Sequence, residues 1–267
     1  METDSVLNMK TVLLGAGNLA TSLALSMERC GLGIRQIYSR TPASATRLGE
    51  RLQADVEVTD RLADLCPDAD LYVCALKDDA LADALSRMPG FGQGLWVHTS
   101  GTLPLSVFQP FTGRAGVFYP LQTFSCSRPV SLDEVPLCLE TARVEDMPLL
   151  KAFAARLSTR VIELDSAQRG VLHLAAVFAN NFTNSLYATA GEILERAGLP
   201  FDLLLPLIDE TARKVHDLAP AAAQTGPARR MDTKVIDRHL QLLEAFGMEH
   251  NADLYRRLTE IIHDRSL

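Results

Sequence analysis

His173, Val177, Asn180, Asn184 and Tyr187 follow one another at spacings of four, three, four and three residues. On an α-helix, at about 100° per residue, those spacings share one narrow stripe, with Val171, Phe178, Phe182 and Leu186 on the opposite side. A solvent-facing stripe carries Lys or Glu, yet no Asp, Glu, Lys or Arg occurs from Gly170 to Gly191. Polar but uncharged, the stripe has the composition of a cleft lining. In a cleft, Asn180 and Asn184 could orient a polar substrate and His173 could pass a proton. The same side chains could instead satisfy buried partners in a helix–helix interface. Tyr119 is a second group able to move a proton. In the run Gly226-Pro227-Ala228-Arg229-Arg230-Met231-Asp232, Arg229 or Arg230 could hold a carboxylate or phosphate bidentately while Asp232 caps the following helix. The plainer alternative for that run is a solvated basic loop.

A second constellation lies near the start of the chain. An apolar strand, Thr11 to Leu14, runs into Gly15-Ala16-Gly17-Asn18-Leu19-Ala20, and helix-forming residues follow. This G-x-G-x-x-A turn has the strand before and the helix after that a dinucleotide site needs. Gly15 permits the turn, Gly17 lets the backbone approach a pyrophosphate, and the small Ala20 lets the helix pack so that its N–H groups, from Asn18 and Leu19 on, face the anion. At the end of the next strand stands Tyr38-Ser39-Arg40-Thr41-Pro42, with no acid to hold a ribose 2′-hydroxyl. Arg40 can pair with a 2′-phosphate and Ser39 and Thr41 can donate to it, which favours NADP(H) over NAD(H). Thr41-Pro42 also reads as an N-cap followed by proline at the first helical position. In the third such loop Leu76 is placed to touch the adenosine or ribose, and Asp79 to cap a helix. The fourth, His98-Thr99-Ser100-Gly101, brings Ser100 toward the nicotinamide end.

These residues must be carried by a regular scaffold, and the chain has one. Strand candidates are Thr11–Leu14, Ile34–Tyr38, Val56–Val58, Leu71–Ala75, Leu95–His98, Ala115–Tyr119, Leu137–Glu140 and Val161–Glu163. Helix candidates at Leu19–Arg29, Pro42–Leu52 and Asp79–Met88 alternate with the early strands, the rhythm of a doubly wound parallel sheet. After Asp165 only helical patterns remain, at Ser166–Ala197, Phe201–Ala219, Asp232–Phe246 and Asn251–Arg265. The expectation is α/β: a doubly wound Rossmann-like domain over residues 1–164, then an all-α substrate and dimerisation domain over 165–267. Within the latter, the uncharged 170–191 stretch reads as a buried helix.

Composition excludes several classes. A formal net charge of −7 over 267 residues argues against a nucleic-acid partner. Five cysteines without a C-x-x-C pair, and six histidines without ligand spacing, suggest buried free thiols and no metal site. The opening residues Met1 to Lys10 carry Glu2 and Asp4 and no apolar h-region, which reads as cytoplasmic, and no segment reads as a membrane span.

GAGNLATSL, IYSRT and CALKDDAL resemble the NADP-binding domain of pyrroline-5-carboxylate reductase, ketopantoate reductase, the 6-phosphogluconate and β-hydroxyacid dehydrogenases and prephenate dehydrogenase. HTSG, FYPLQTFS, VFANNFTN and GPARRMD resemble more closely a bacterial family of predicted NADP oxidoreductases, a Rossmann-like domain joined to a helical C-terminal domain of undefined function. The resemblance implies an NADP(H)-dependent oxidoreductase acting on a small C=O or C=N substrate between the domains, and a homodimer. In β-hydroxyacid dehydrogenases and ketopantoate reductase a Lys precedes the helix asparagine by four residues; Asn180 and Asn184 match the asparagines, but the Lys position is Ala176. His173 or Tyr119 would have to supply the proton. The alternatives are an NADP(H)-binding sensor that has lost catalysis, and a prephenate-dehydrogenase-like enzyme with His98 as its histidine.

Overall fold

The computed structural model describes residues 6–266. Its sheet has eight strands: β1 (Thr11–Leu14), β2 (Ile34–Tyr38), β3 (Glu57–Thr59), β4 (Leu71–Cys74), β5 (Leu95–His98), β6 (Ala115–Pro120), β7 (Leu137–Thr141) and β8 (Val161–Glu163). They lie in the order β3-β2-β1-β4-β5-β6-β7-β8. The first six strands are parallel, while β7 runs antiparallel to β6 and β8 parallel to β7. The order 3-2-1-4-5-6 is that of the doubly wound dinucleotide fold, with its switch point between β1 and β4.

Helices α1 (Asn18–Arg29), α2 (Pro42–Gly49), α3 (Asp78–Ser86) and α4 (Met147–Leu157) clothe this sheet. Successive side chains of a strand point to opposite faces, so β1 feeds two cores. Leu13, with Ile37, Val73 and Val97, packs under Leu23 and Met27 of α1, Leu48 of α2 and Leu150 and Phe153 of α4. Val12 and Leu14, with Tyr72 and Trp96, pack under Leu81 and Leu85 of α3 and under Phe108. A parallel strand buried on both faces reads as an unbroken apolar run, and all four residues of β1 are buried. Sequence reading placed no helix between β7 and β8. The signal for α4 is nevertheless there, in the helical spacing of Leu150, Phe153, Ala154 and Leu157, all buried.

The C-terminal part consists of helices: α5 (Ser166–Ala176), a π-helical stretch Val177–Phe182, α6 (Thr183–Arg196), α7 (Leu205–Asp217), α8 (Thr233–Ala245) and α9 (Glu249–Asp264), with short turns at Pro220–Ala223 and Pro227–Arg230. Asp165 caps α5 by a full capping box with Gln168. Asp232 caps α8, accepting from the Val235 N–H. Contacts divide the chain into two compact units, one ending at Phe178 and one running from Ala179 to Leu267.

Two expectations fail here. The 170–191 stretch is helical but not buried: α6 has no buried residue, and Val171, Phe178 and Leu186 are 71%, 63% and 40% exposed. Periodicity reports that one face avoids water, not that the same chain covers it. The polar stripe is also not straight. Its residues do not share one unbroken α-helix, because Val177–Phe182 is π-helical and a π-turn takes in one residue more than an α-turn.

Candidate active site

The glycine turn is built as its sequence requires. Gly15 has φ +123°, and a Cβ there would stand 2.3 Å from the Ala75 carbonyl oxygen at the end of β4. The Gly15 N–H donates to Tyr38 O at 2.7 Å, which fastens the turn to β2. Gly17 differs. Its φ is negative, and a Cβ built on it would meet nothing within 4 Å. The protein's own packing does not require a glycine at 17, and the backbone there is exposed. Asn18 begins α1, exposed, and its Oδ1 accepts from the Cys126 N–H at 3.0 Å. Leu19 is half-buried and Ala20 fully buried, which brings the start of α1 close to the sheet.

At the end of β2, Ser39 Oγ accepts from the Thr41 N–H at 3.2 Å, and Arg40 and Thr41 are exposed. Thr41 is the N-cap residue of α2, with Pro42 behind it, but its hydroxyl makes no capping bond and stays available. Leu76 is half-buried after β4. The expectation for Asp79 is corrected: Lys77 is the N-cap of α3, and Asp78 and Asp79 lie in the first turn, where their charge meets the positive end of the helix. Asp78 Oδ2 accepts from Thr102 Oγ1 at 2.5 Å. Ser100 shapes the fourth loop, its Oγ accepting from the N–H groups of Thr102 and Leu103.

His98, at the last position of β5, is fully buried, and its Nδ1 accepts from the Ser100 N–H at 3.2 Å. Burial, reinforced by the Arg169 charge, pushes its pKa down to about 4. A neutral imidazole sealed from solvent and stacked on Phe108 belongs to the loop's structure. It is not the exposed catalytic histidine that the prephenate-dehydrogenase-like alternative needs.

Beyond that loop the two proposed proton carriers meet. Tyr119 Oη and His173 Nδ1 lie 3.1 Å apart, with the rings edge to face, although 54 residues separate them in the chain. They close over Gly101, whose added Cβ would fall 2.5 Å from His173 Nδ1 and 2.9 Å from Tyr119 Cζ. Burial raises the Tyr119 pKa, so the phenol keeps its proton at neutral pH.

One turn before His173, Arg169 is wholly buried, a residue the sequence reading passed over. It donates to Glu140 Oε2 at 2.6 Å and to the Leu103 carbonyl at 2.5 Å, while Ser166 Oγ donates to the same Glu140 oxygen at 2.8 Å. The ion pair therefore ties α5, β7 and the chain just after the fourth loop together, one helical turn before His173. Its signal in the sequence was Arg169 itself, the last charge before a long uncharged helix and four residues from His173.

In the second unit, Asn180 lies on the π-helical stretch and Asn184 in the first turn of α6, both exposed. Arg229 and Arg230 end the turn Pro227–Arg230, which packs against α9. Both are exposed, and Arg229 donates to the Gln224 carbonyl at 2.9 Å. Of the cysteines, Cys74 and Cys138 are buried as expected, but Cys126 is exposed, because it lies on the loop crossing α1 rather than in the sheet. Among the described residues no group of three or more His, Cys, Asp or Glu could hold a metal ion, and no helix is long and apolar enough to cross a membrane.

A doubly wound sheet with an open glycine turn after β1, an exposed Arg40 after β2 and a hydrogen-bonded Tyr119–His173 pair is the framework of a dinucleotide-dependent oxidoreductase of the Rossmann type. Residues 10–97 match the family described as NADP oxidoreductase, coenzyme F420-dependent, and residues 135–262 match a Domain of unknown function, DUF2520. The chain is 47% identical to a putative NADP oxidoreductase from Bacteroides fragilis, over 97% of this chain and 99% of that one, with a TM-score of 0.91. It belongs to that family of NADP oxidoreductases. A Thermotoga maritima protein is 22% identical with a TM-score of 0.78, covering 96% of this chain and 99% of its own. An imine reductase from Myxococcus stipitatus, solved with NADP+, is 14% identical with a TM-score of 0.67, covering 96% and 93%. These two show the shared fold. No curated protein matches the sequence.

Proposed function

We propose that the protein is a cytoplasmic, homodimeric reductase that uses NADPH to reduce a small, anionic C=O or C=N compound. The observation that carries this is the Tyr119–His173 hydrogen bond, which couples a protonated phenol to an imidazole beside the loop after β5. NADPH, when bound, supplies a hydride, and the substrate's oxygen or nitrogen then needs a proton. If Tyr119 donates to His173 Nδ1, the imidazole carries its proton on Nε2 and can hand it to the substrate, with Tyr119 replenishing it. In this reading Gly15, Gly17, Asn18, Leu19 and Ala20 hold the pyrophosphate, and Ser39, Arg40 and Thr41 the 2′-phosphate. Leu76 and Ser100 flank the rest of the dinucleotide. Asn180 and Asn184 orient the substrate, and Arg229 or Arg230 receives its anionic group.

The dimer is supported by the amount of apolar surface left on single-chain helices: Leu174, Leu203 and Leu207 are 59%, 61% and 63% exposed. Patches of that kind on a folded chain mark interaction surfaces. NADPH oxidation with a panel of oxo acids and cyclic imines tests the enzymatic reading. Turnover is expected, falling by roughly 10²–10⁴-fold in His173→Ala; no turnover with any compound at any pH refutes it. Ala176, in place of the lysine of the resembled dehydrogenases, favours a second reading, an NADPH-binding sensor. Tight NADPH binding without turnover, with a conformational response to NADPH but not NADP+, would select it.

A further inference from the structure

Next to the glycine turn, on the sheet face that carries α1 and α2, a cavity of ≈ 400 Å³ is lined by Ala16, Thr21, Ser44, Arg47, Arg51 and Cys126. Its size is within the range of small-ligand sites. Arg47 lies on α2 and Arg51 two residues beyond its end at Gly49, and both line the cavity. The Arg47 guanidinium is folded back along the helix: its Nε donates to the Ala43 carbonyl at 3.2 Å, and its Nη2 lies 3.4 Å from Ser44 Oγ. That places a cation beside the first turn of α2, the turn that begins two residues after Arg40. Arg51 Nη1 donates to the Cys126 carbonyl at 3.3 Å. Cys126 is itself held to the amino end of α1 through its N–H bond to Asn18. No carboxylate lines the cavity, and among the described residues neither arginine pairs with one. Two guanidinium groups, two hydroxyls and no acid therefore surround a space open to solvent.

We infer that this cavity is an anion subsite in which Arg47 and Arg51 receive a phosphate monoester, the charge and fork geometry of guanidinium groups being suited to phosphate oxygens. The monoester has two chemically equivalent sources: the 2′-phosphate of a dinucleotide seated on the neighbouring glycine turn, or a separate phosphorylated molecule. Only the first rests on the cofactor reading above. Ser44 Oγ accepts from Arg47 and keeps its own proton to donate, Thr21 Oγ1 is committed to the Gly17 carbonyl at 2.9 Å and only shapes the wall, and the Cys126 thiol lies in the wall without a role in the binding.

That thiol makes a reporter. The full chain is treated with iodoacetamide, and Cys126 modification is followed by peptide mass, with half-buried Cys30 and Cys66 as reference sites. Adenosine 2′-phosphate, inorganic phosphate, NADPH and NADH are added separately, and NADPH binding is read independently from its own fluorescence. Slowed alkylation of Cys126 by adenosine 2′-phosphate is the expected result. The protecting concentration should rise roughly 10- to 100-fold in Arg47→Ala and Arg51→Ala, as loss of a charge-assisted hydrogen bond implies, and less in Arg47→Lys. Protection by NADPH but not by NADH assigns the monoester to the dinucleotide. Protection by phosphate compounds but not by bound NADPH assigns it to a separate ligand. Protection by none of the phosphates, or equal protection in both alanine variants, overturns the inference. NADPH that fails to bind at all would instead refute the cofactor reading and leave the phosphate arm to be judged alone.

Discussion

Replacing Gly101 by alanine adds one methyl group at the place where Tyr119 and His173 meet. The new Cβ would stand 2.5 Å from His173 Nδ1, 2.8 Å from its Cγ and 2.9 Å from Tyr119 Cζ, against an ordinary contact of 3.4 Å or more. The imidazole must retreat by about 0.9 Å, the difference between 3.4 and 2.5 Å, and the phenol by about 0.5 Å. With the two rings joined at 3.1 Å, a retreat of that size by the imidazole away from the phenol stretches the bond beyond hydrogen-bonding range. Overpacking of this kind destabilises by about 1–3 kcal/mol. A displacement near 1 Å at a reacting group lowers turnover by roughly 10²-fold. Urea unfolding measures the first effect, imidazole nitrogen shifts in NMR spectra measure loss of the Tyr119–His173 bond, and NADPH fluorescence should show cofactor binding intact. In a His173→Ala background the clash largely disappears, so Gly101→Ala should then destabilise by less, a coupling that a double-mutant cycle reads directly. Unchanged histidine shifts in Gly101→Ala, or additive losses in the double variant, would refute the geometry.

Four other perturbations bear on the fold and on the cofactor. Gly15→Ala forces a left-handed φ and a clash with the Ala75 carbonyl; a loss of more than about 3 kcal/mol, or no soluble protein, is expected on denaturation. Arg40→Ala should weaken NADPH by roughly 10-fold or more while leaving NADH unchanged, measured as two dissociation constants. Glu140→Gln leaves the buried Arg169 charge without its partner and should destabilise by about 3–5 kcal/mol in chemical unfolding. His98 titrates near 6.5 when unfolded and at about 4 when folded, so the unfolded chain binds the extra proton between those values. Its contribution is present above pH 6.5 and is lost as the pH falls toward 4, by up to about 3 kcal/mol. The fall in urea midpoint over that window should be shallower in His98→Gln than in the wild type.

Most of the fold could be read without coordinates, because its determinants are local. Strands β1, β2, β5 and β8 lie at the residues where their apolar runs placed them, and Gly15 and Ala20 announced the turn through what their side chains cannot obstruct. The apolar pattern of 170–191 also predicted a helix correctly, but burial is decided by what packs on that face, and the single chain leaves it open. The π-helical stretch was illegible for a related reason: a fixed 3.6-residue period has no term for a turn that takes in one extra residue.

What the sequence by itself determined is therefore the local part of the fold: the glycine turn, the apolar strands and their alternation with helices each follow from stereochemistry and periodicity within a few residues. Only the tertiary structure decided which of the three candidate proton-carrying side chains lie together. It withdrew His98 into the core, joined Tyr119 of β6 to His173 of α5, and paired Arg169, one turn before His173, with Glu140 of β7. Those choices depend on strand register and on the packing of segments far apart in the chain, and no local rule encodes a distance between residues that meet only after the sheet has closed.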